Sequence, residues 1–221
     1  MSVVRLSGGC RSRRFLFDGT DSAAFVAEVA RTCGWSRLPP RPRDQTDAGG
    51  ITLRWDVDRE LDPGLRVTYT ANPLINASHV MVSYLVGDWT PTTRDGARRR
   101  VESTAAVFAA HWSVLTFDAL LAAVDTAHDP DTRSLAVLRA GLGAPEDVDQ
   151  RFVDRIGGCA GSEDDLVREH AVWAMAYAEW AAFRPTLSRM ATGDPADRLR
   201  DMAAAPLRAF DRSGVPNPET D

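Results

Sequence analysis

Three stretches of the chain share one pattern: DPDTRSLA (residues 129–136), EDDLVREHA (163–171) and DPADRLRDMA (194–203). In each stretch an acidic, turn-like cluster is followed by an arginine and, three residues later, by an alanine. The arginines stand at positions 133, 168 and 200, so the intervals are 35 and 32 residues. A period of this length is typical of stacked helical hairpins, because one hairpin cannot bury its own apolar face and packs against the next.

The N-terminal part of the chain shows a period of two instead. Odd-numbered positions from Ile51 to Val57 are apolar and alternate with polar residues, which indicates a strand with one buried face. Turn residues at 61–64 and a second alternating run, 65–70, predict an antiparallel hairpin. A further strand, residues 79–86, is apolar on both faces and is expected near the middle of the sheet. Helical spacing between Phe25 and Cys33 predicts one helix.

These patterns predict an α+β protein. Residues 1–95 are expected to form a small N-terminal antiparallel sheet with one helix. Residues 96–212 are expected to form an all-α stack of helical hairpins, and 213–221 a flexible tail. The boundary is placed where tryptophan, proline and glycine cluster between residues 88 and 96, because strand-like alternation does not recur beyond it and the alanine content rises.

Over residues 97–210 the chain resembles the HEAT-repeat family of armadillo-like helical repeat proteins. The resemblance depends on the order helix, acidic turn, and Arg-x-x-Ala in the following helix. It implies that the three motif arginines point into the stack and meet acids of the turns, such as Asp129, Asp164 and Asp194. It also implies that the motif alanines let neighbouring helices approach closely. Members of the family are mostly protein-binding scaffolds, and a minority bind ligands or are enzymes, so the fold does not determine the role.

The composition excludes several kinds of chemistry. All 26 basic residues are arginine, so there is no lysine for a Schiff base, a phosphate-binding loop or a kinase-type active site. A net charge of −5 argues against nucleic acid as the partner, since phosphate neutralisation needs a concentrated positive surface.

Localisation and cofactors are predicted from patterns that the chain lacks. No continuous apolar stretch has the length of a membrane span or of a secretory signal core, so we expect a cytoplasmic protein without a membrane partner. The bias toward arginine and alanine is typical of a GC-rich, bacterial genome. The four histidines and three cysteines show no metal-ligand spacing, and we expect neither a metal nor a cofactor.

One helical segment carries an unusual set of large side chains. On a continuous helix a single narrow arc would hold Leu166, His170, Trp173, Tyr177 and Trp180. Tryptophan and tyrosine dominate binding hot spots, so the arc is a candidate recognition surface or ligand wall. The alternative is that these rings are core, as such side chains usually are. A turn near Tyr177 would break up the arc.

Two catalytic arrangements suggested by the sequence have the wrong geometry. Glu169 and Asp165 point well away from His170 on a helix, so they do not form a base with its orienting acid. The run Gly157–Gly161 around Cys159 is similar to a nucleophile elbow, but a helix precedes it where that motif needs a strand. The polar face of the predicted sheet, which includes Arg54 and Arg66, is a separate candidate for binding a protein or small ligand, or is simply hydrated.

The sequence therefore predicts a non-catalytic protein-binding module. Its predicted binding residues are Trp173, Tyr177, Trp180, His170, Arg54 and Arg66. The alternative is a small-molecule-binding protein or enzyme of bacterial specialised metabolism, with a pocket between sheet and helices. Because this second class includes enzymes, enzymatic activity stays open.

Overall fold

The computed structural model describes residues 4–6, 9–20, 22–45, 49–58, 60, 64–85, 91–109, 113–213 and 215. Within them the chain forms seven β-strands and eight α-helices. The fold is α+β, as predicted. The chain divides into two compact units, Met1–Leu115 and Thr116–Asp221. The predicted tail, 213–221, lies outside the described residues except for Ser213 and Val215.

The first unit is built on an antiparallel sheet. Its strands are β1 (Val4–Leu6), β2 (Gly9–Arg11), β3 (Phe15–Asp18), β4 (Ser36–Arg37), β5 (Ile51–Asp56), β6 (Leu65–Asn72) and β7 (Ala77–Leu85). They lie in the order β1-β2-β7-β6-β5-β4, and β3 pairs separately with β7. The predicted hairpin is β5–β6, in which Trp55 pairs with Val67 and Asp56 with Arg66. The strand expected near the middle is β7, which has neighbours on both sides.

The side chains of β6 follow the predicted two-residue period. Leu65, Val67, Tyr69 and Ala71 are buried, and the residues between them are only partly buried. The buried set joins residues of helix α1 (Ala23–Thr32), among them Val26, in one core. Gly34, just after α1, has φ +71°, which is the left-handed conformation expected of a glycine that follows a helix.

Helix α2 (Pro91–Ala109) belongs to the first unit. It contacts β2, β6 and β7. Val101, Ala105 and Phe108 lie in the same core as Phe15 and Trp55. The predicted boundary at 95/96 assigned this helix to the helical stack, whereas the first compact unit continues to Leu115. The reason is that the apolar side of α2 is buried on the sheet.

The second unit consists of helices joined by short turns. They are α3 (Phe117–Thr126), α4 (Pro130–Gly143), α5 (Gln150–Cys159), α6 (Asp165–Ala178), α7 (Arg184–Gly193) and α8 (Asp197–Ser213). Consecutive helices pack as the pairs α3–α4, α5–α6 and α7–α8, and α4, α6 and α8 lie side by side. In each of these three the motif arginine is the fourth residue and the motif alanine the seventh. Ala136, Ala171 and Ala203 are all buried.

The helices α4 and α6 approach closely at one point. A Cβ atom built on Gly141 would overlap the Cα, Cβ and carbonyl oxygen of Ala174. A residue without a side chain is therefore required at position 141 to keep this spacing. Near the start of α4, Arg133 lies beside the turn that precedes α6, and near its end Gly141 meets Ala174 near the end of α6, so α4 and α6 run parallel.

Arg168 links two turns of the second unit. It is only 6% exposed. Its guanidinium donates to the Asp194 carboxylate at 2.9 and 3.2 Å and to the Asp165 carboxylate at 2.6 Å. It also donates to the carbonyls of Ser162 and Glu163 at 2.9 and 3.0 Å. Arg168 therefore joins the turn before α6 to the turn before α8, and its five donors have several acceptors in the interior.

The other two motif arginines are not buried in this way, which corrects the expectation that all three point into the stack. Arg133 is exposed. Arg200 is partly exposed and donates to the Asp197 carboxylate and the Asp194 carbonyl. Asp129 and Asp164 cap helices instead of pairing with arginine: each accepts from a backbone N–H two or three residues on, at 2.9 Å.

A single position explains why Arg133 differs from Arg168. Asp194 stands three residues before α8, and the equivalent position before α6 is Ser162. Arg133 and Ser162 line the same cavity, of about 340 Å³. A serine thus occupies the place where an aspartate would complete a second link.

Candidate recognition surface

Helix α6 has a defined beginning and end. The Asp164 carboxylate accepts hydrogen bonds from the backbone N–H groups of Leu166 and Val167 at 2.9 and 3.2 Å. Glu179 ends the helix in the left-handed conformation, with φ 59°. The predicted arc of large side chains is therefore carried by a helix up to Ala178 and is interrupted by the turn at Glu179.

Four members of the arc lie on the outer side of α6, and we call Leu166, His170, Trp173 and Tyr177 the aromatic face. Trp173 is 46% exposed and Leu166 38%. His170 and Tyr177 are partly exposed. The Trp173 and Tyr177 rings stack, with centroids 6.3 Å apart and an interplanar angle of 30°. The stacked pair presents a rigid apolar surface together with a polar hydroxyl and an indole N–H.

Trp180 is not part of this face. It is 4% exposed. Its indole stacks on Phe183 with a centroid distance of 5.6 Å and meets the edge of Phe152 at 6.3 Å. Its Nε1 donates to the Glu146 carbonyl at 3.2 Å. The left-handed turn at Glu179 directs Trp180 into the core, so the predicted binding role of this residue has no support from its placement.

His170 lies between Leu166 and Trp173 on the aromatic face. Its Nδ1 is buried without a hydrogen-bond partner. The neighbouring acids have other partners: Glu169 pairs with Arg198 and Asp165 with Arg168. The carboxylates beside His170 in the sequence therefore do not orient its ring.

The helices on either side of α6 carry partly exposed apolar residues at the position equivalent to His170. Leu135 of α4 and Met202 of α8 are, like His170, the sixth residues of their helices, and both are partly exposed. Sequence reasoning missed both residues. Aligning the three repeats on their motif arginines would have found them, since each stands two residues after its arginine.

The two arginines predicted on the polar sheet face are engaged in ion pairs. Arg54 binds the Asp44 carboxylate through both terminal nitrogens, one of them at 2.6 Å, and the two side chains are 10% and 7% exposed. The hydrogen bonds from Arg54 lower the pKa of Asp44, although burial opposes this. Arg66 binds the Asp56 carboxylate at 3.2 Å. The pairs are buried or partly buried, so neither guanidinium is placed as an open binding group.

His79 lies on the same side of the sheet, in β7. Burial lowers its pKa to about 3, and the charges of Arg14 and Arg11 act in the same direction. His79 is therefore neutral in the folded protein near neutral pH.

Cys159 is the last residue of α5 and is buried. Burial raises the pKa of its thiol, which disfavours the reactive thiolate. Because α5 precedes it, the strand-to-helix geometry of a nucleophile elbow is not present at this site. Among the described residues, no three His, Cys, Asp or Glu side chains lie close enough together to hold a metal ion.

Comparison with known proteins found no matching family model, no matching curated protein and no matching solved structure. None of the helices in the described ranges is long and apolar enough to cross a membrane.

Proposed function

We propose that the protein is a non-catalytic protein-binding module, that its second unit is a short HEAT-like array, and that the aromatic face is its contact surface. The exposure of Trp173 carries this proposal. A tryptophan has a large apolar area, and leaving nearly half of it in water is unfavourable unless a partner covers it. Tryptophan is also among the residue types most enriched in binding hot spots.

The arrangement of the helices supports the HEAT-like part of the proposal. Three helical hairpins follow one another, their second helices lie side by side, and the motif arginine and alanine occupy the same positions in each. Arg168 joins successive turns through Asp194. In such arrays the contact surface is formed by equivalent side chains of successive repeats, and the sixth residues of α4, α6 and α8 form one row of this kind.

A rigid surface favours binding because little conformational entropy is lost on contact. Trp173 and Tyr177 stack on each other, and the helix that carries them is fixed by an N-terminal cap and by Arg168 on its inner side. The rings are therefore already ordered before a partner arrives.

Affinity capture with the purified full chain tests the proposal. We expect Trp173→Ala to lose the proteins that the unchanged chain captures from a lysate of its source cells, as judged by quantitative mass spectrometry. Val148→Ala is the matched control, because Val148 is also an exposed apolar residue of the second unit but lies in the turn between α4 and α5 and is not part of the aromatic face. Equal capture by both variants would contradict a role for the aromatic face.

A further inference from the structure

We infer that the cavity beside Arg133 binds a carboxylate group of a ligand. The cavity, of about 340 Å³, is lined by residues of α3, α4 and α5 and of the turn before α6. It shares no residue with the aromatic face, so it is a second site that goes beyond the proposed contact surface. The inference depends on a comparison of two successive repeats, one of which holds a carboxylate of the chain itself at the equivalent place.

In the later repeat this place is filled by Asp194. Its carboxylate is buried and accepts from the Arg168 guanidinium at 2.9 and 3.2 Å and from the Ala196 N–H at 3.0 Å. The motif arginine and the N–H two residues after the aspartate therefore hold one anion between them. Hydrogen bonds between an arginine and a carboxylate are among the strong ones in proteins.

In the earlier repeat the equivalent donors face a serine instead of an aspartate. Arg133 is the motif arginine, Ser162 stands at the position of Asp194, and the Asp164 N–H donates to the Ser162 hydroxyl at 3.2 Å. In the ranges that the structure describes, the Arg133 guanidinium has no hydrogen-bond or ion-pair partner, and the Ser162 hydroxyl proton meets no acceptor. A guanidinium and a hydroxyl are therefore both available to donate to a ligand.

Four charged side chains line the cavity, and three of them are engaged. Asp125 and Arg155 bind each other through hydrogen bonds of 2.8, 2.9 and 3.0 Å. Hydrogen bonds from Arg155 also lower the pKa of the Asp125 carboxyl, although burial opposes this. Asp154 accepts from the Gln150 side-chain amide at 2.7 Å. Arg133 is the remaining charged group of the lining, and it is a cation.

The same charges limit the kind of anion that the cavity accepts. The partner of Asp154 is a neutral amide and not a cation, so its negative charge repels a dianion such as phosphate more strongly than a monoanion. A carboxylate carries a single charge, and its two oxygens match the planar fork of a guanidinium. The cavity therefore favours a carboxylate over a more highly charged anion.

Glycines leave the space for the ligand. Gly158 and Gly161 line the cavity, and a Cβ atom built on Gly158 would meet no atom within 4 Å. Both Gly158 and Arg133 are exposed, so the site can be reached from the solvent. Small-ligand pockets have volumes of about 300–1,000 Å³, and this cavity lies within that range. Either an acidic side chain or a small carboxylic acid fits this space.

An NMR titration of the isotope-labelled full chain tests the inference. The probe is aspartate with an acetylated N-terminus and an amidated C-terminus, and the corresponding asparagine derivative is the neutral control. We expect the aspartate probe to shift the Arg133 Nε–H and Ser162 N–H signals in a saturable way, with a dissociation constant on the order of 1 mM. The asparagine derivative should cause no such shift. Absence of saturable shifts with the aspartate probe at about 50 mM, well above that dissociation constant, would overturn the inference.

Two substitutions test which groups bind the carboxylate. Arg133→Gln removes the charge, and Ser162→Asp supplies an internal carboxylate that competes with the probe, so each should weaken probe binding at least about tenfold. The Ser162 signal follows binding in the first variant and the Arg133 signal in the second. Circular dichroism confirms that each variant is folded.

Arg212→Gln is the matched control for the loss of charge. Arg212 is also an exposed arginine of the second unit, but it lies near the end of α8 and does not line the cavity. This variant should bind the aspartate probe as the unchanged chain does. Probe binding that survives Arg133→Gln, or that Arg212→Gln weakens equally, would overturn the inference.

Affinity capture distinguishes the two sources of the carboxylate. Loss of captured proteins on Arg133→Gln would identify an acidic side chain of a protein as the ligand. Unchanged capture by this variant, together with probe binding by the unchanged chain, would identify a free carboxylic acid. A chain that binds no probe but still captures proteins in a Trp173-dependent manner would overturn this inference and leave the proposed function standing.

Discussion

The two sides of α6 differ in a way that hydrophobicity alone would not suggest. The outer side exposes Trp173, and the inner side buries Arg168. The arginine is stable inside because its donors meet two carboxylates and two backbone carbonyls. The tryptophan outside stacks on Tyr177 but is not covered. The difference teaches that satisfied hydrogen bonding, and not hydrophobicity alone, determines which side chains can be buried.

The largest expected effect concerns the tryptophan that the turn at Glu179 directs inward. Trp180→Ala leaves a cavity between Phe152 and Phe183 and is expected to lower the free energy of unfolding by about 3–5 kcal/mol. Trp173→Ala is the matched substitution on the outer side and should change it by no more than about 0.5 kcal/mol. Urea denaturation followed by circular dichroism measures both. Similar losses of unfolding free energy for Trp180→Ala and Trp173→Ala would contradict the distinction between a buried and an exposed tryptophan.

Arg168→Ala is expected to cost about 3 kcal/mol, because it leaves the buried Asp194 carboxylate without its charge partner. The loss is at the low end for such pairs, since Asp194 keeps its bond from the Ala196 N–H at 3.0 Å. Arg155→Ala breaks the more exposed pair with Asp125 and should leave stability almost unchanged. If both variants lost the same stability, burial of Arg168 would not matter energetically.

The cost of Arg168→Ala should depend on pH. Burial by itself would raise the pKa of Asp194, but hydrogen bonds from Arg168 and Ala196 hold it below its ordinary value in the unchanged protein. The stability that the ionised Asp194 contributes is present above the ordinary carboxyl pKa and is lost as pH falls through the lowered pKa of Asp194. In Arg168→Ala, burial raises the pKa of Asp194, and protonation of this carboxylate removes the cost of burying its charge. The difference in stability should therefore narrow between pH 7 and about pH 3.5, near the ordinary carboxyl pKa. A constant difference would contradict this assignment.

Gly141→Ala tests the contact between α4 and the inner side of α6. The added methyl overlaps Ala174, so the helices must separate, at an expected cost of about 1–3 kcal/mol. Gly157→Ala is the control, because a Cβ there meets no atom within 4 Å and alanine favours the helix. Thermal unfolding of the two variants should shift in opposite directions.

The smallest expected effect belongs to a substitution that adds an ion pair equivalent to the one between Arg168 and Asp194. Ser162→Asp places a carboxylate in the cavity shared with Arg133, at the position equivalent to Asp194. We expect a gain of about 0.5–1 kcal/mol, since the new pair is partly exposed. The same substitution combined with Arg133→Ala should show no gain. A gain that persists without Arg133 would have another cause.

Local patterns in the sequence were sufficient for much of the fold. Alternation identified β5 and β6, and the acids Asp129 and Asp164 mark the starts of α4 and α6, because caps and strand faces are determined by neighbouring residues. The assignment of α2 to the first unit could not be predicted, since an apolar helix face does not identify the surface that covers it. One partner of Arg168, Asp194, lies 26 residues away in the next turn, and the resemblance implied only that the motif arginines meet acids of the turns.

The candidate site was also predicted only in part, because local patterns give the face of an element but not its end or its distant partners. Periodicity placed Leu166, His170, Trp173 and Tyr177 on one arc, and they do share one side of α6. Periodicity cannot locate the residue at which a helix ends, so Trp180 was included wrongly in the arc. Arg54 and Arg66 were singled out by strand alternation, which also puts Asp56 on the same side as its partner Arg66. The partner of Arg54, Asp44, lies outside the strands, where alternation gives no information.

The ion pair between Arg168 and Asp194 also affects how the second unit unfolds. Fraying of the last hairpin would remove Asp194 and leave a guanidinium in the interior with fewer acceptors, so the first step of unravelling is the costly one. Arrays held only by apolar contacts between repeats can lose their ends gradually. Here the terminal hairpin and the one before it should melt together, as a single cooperative block.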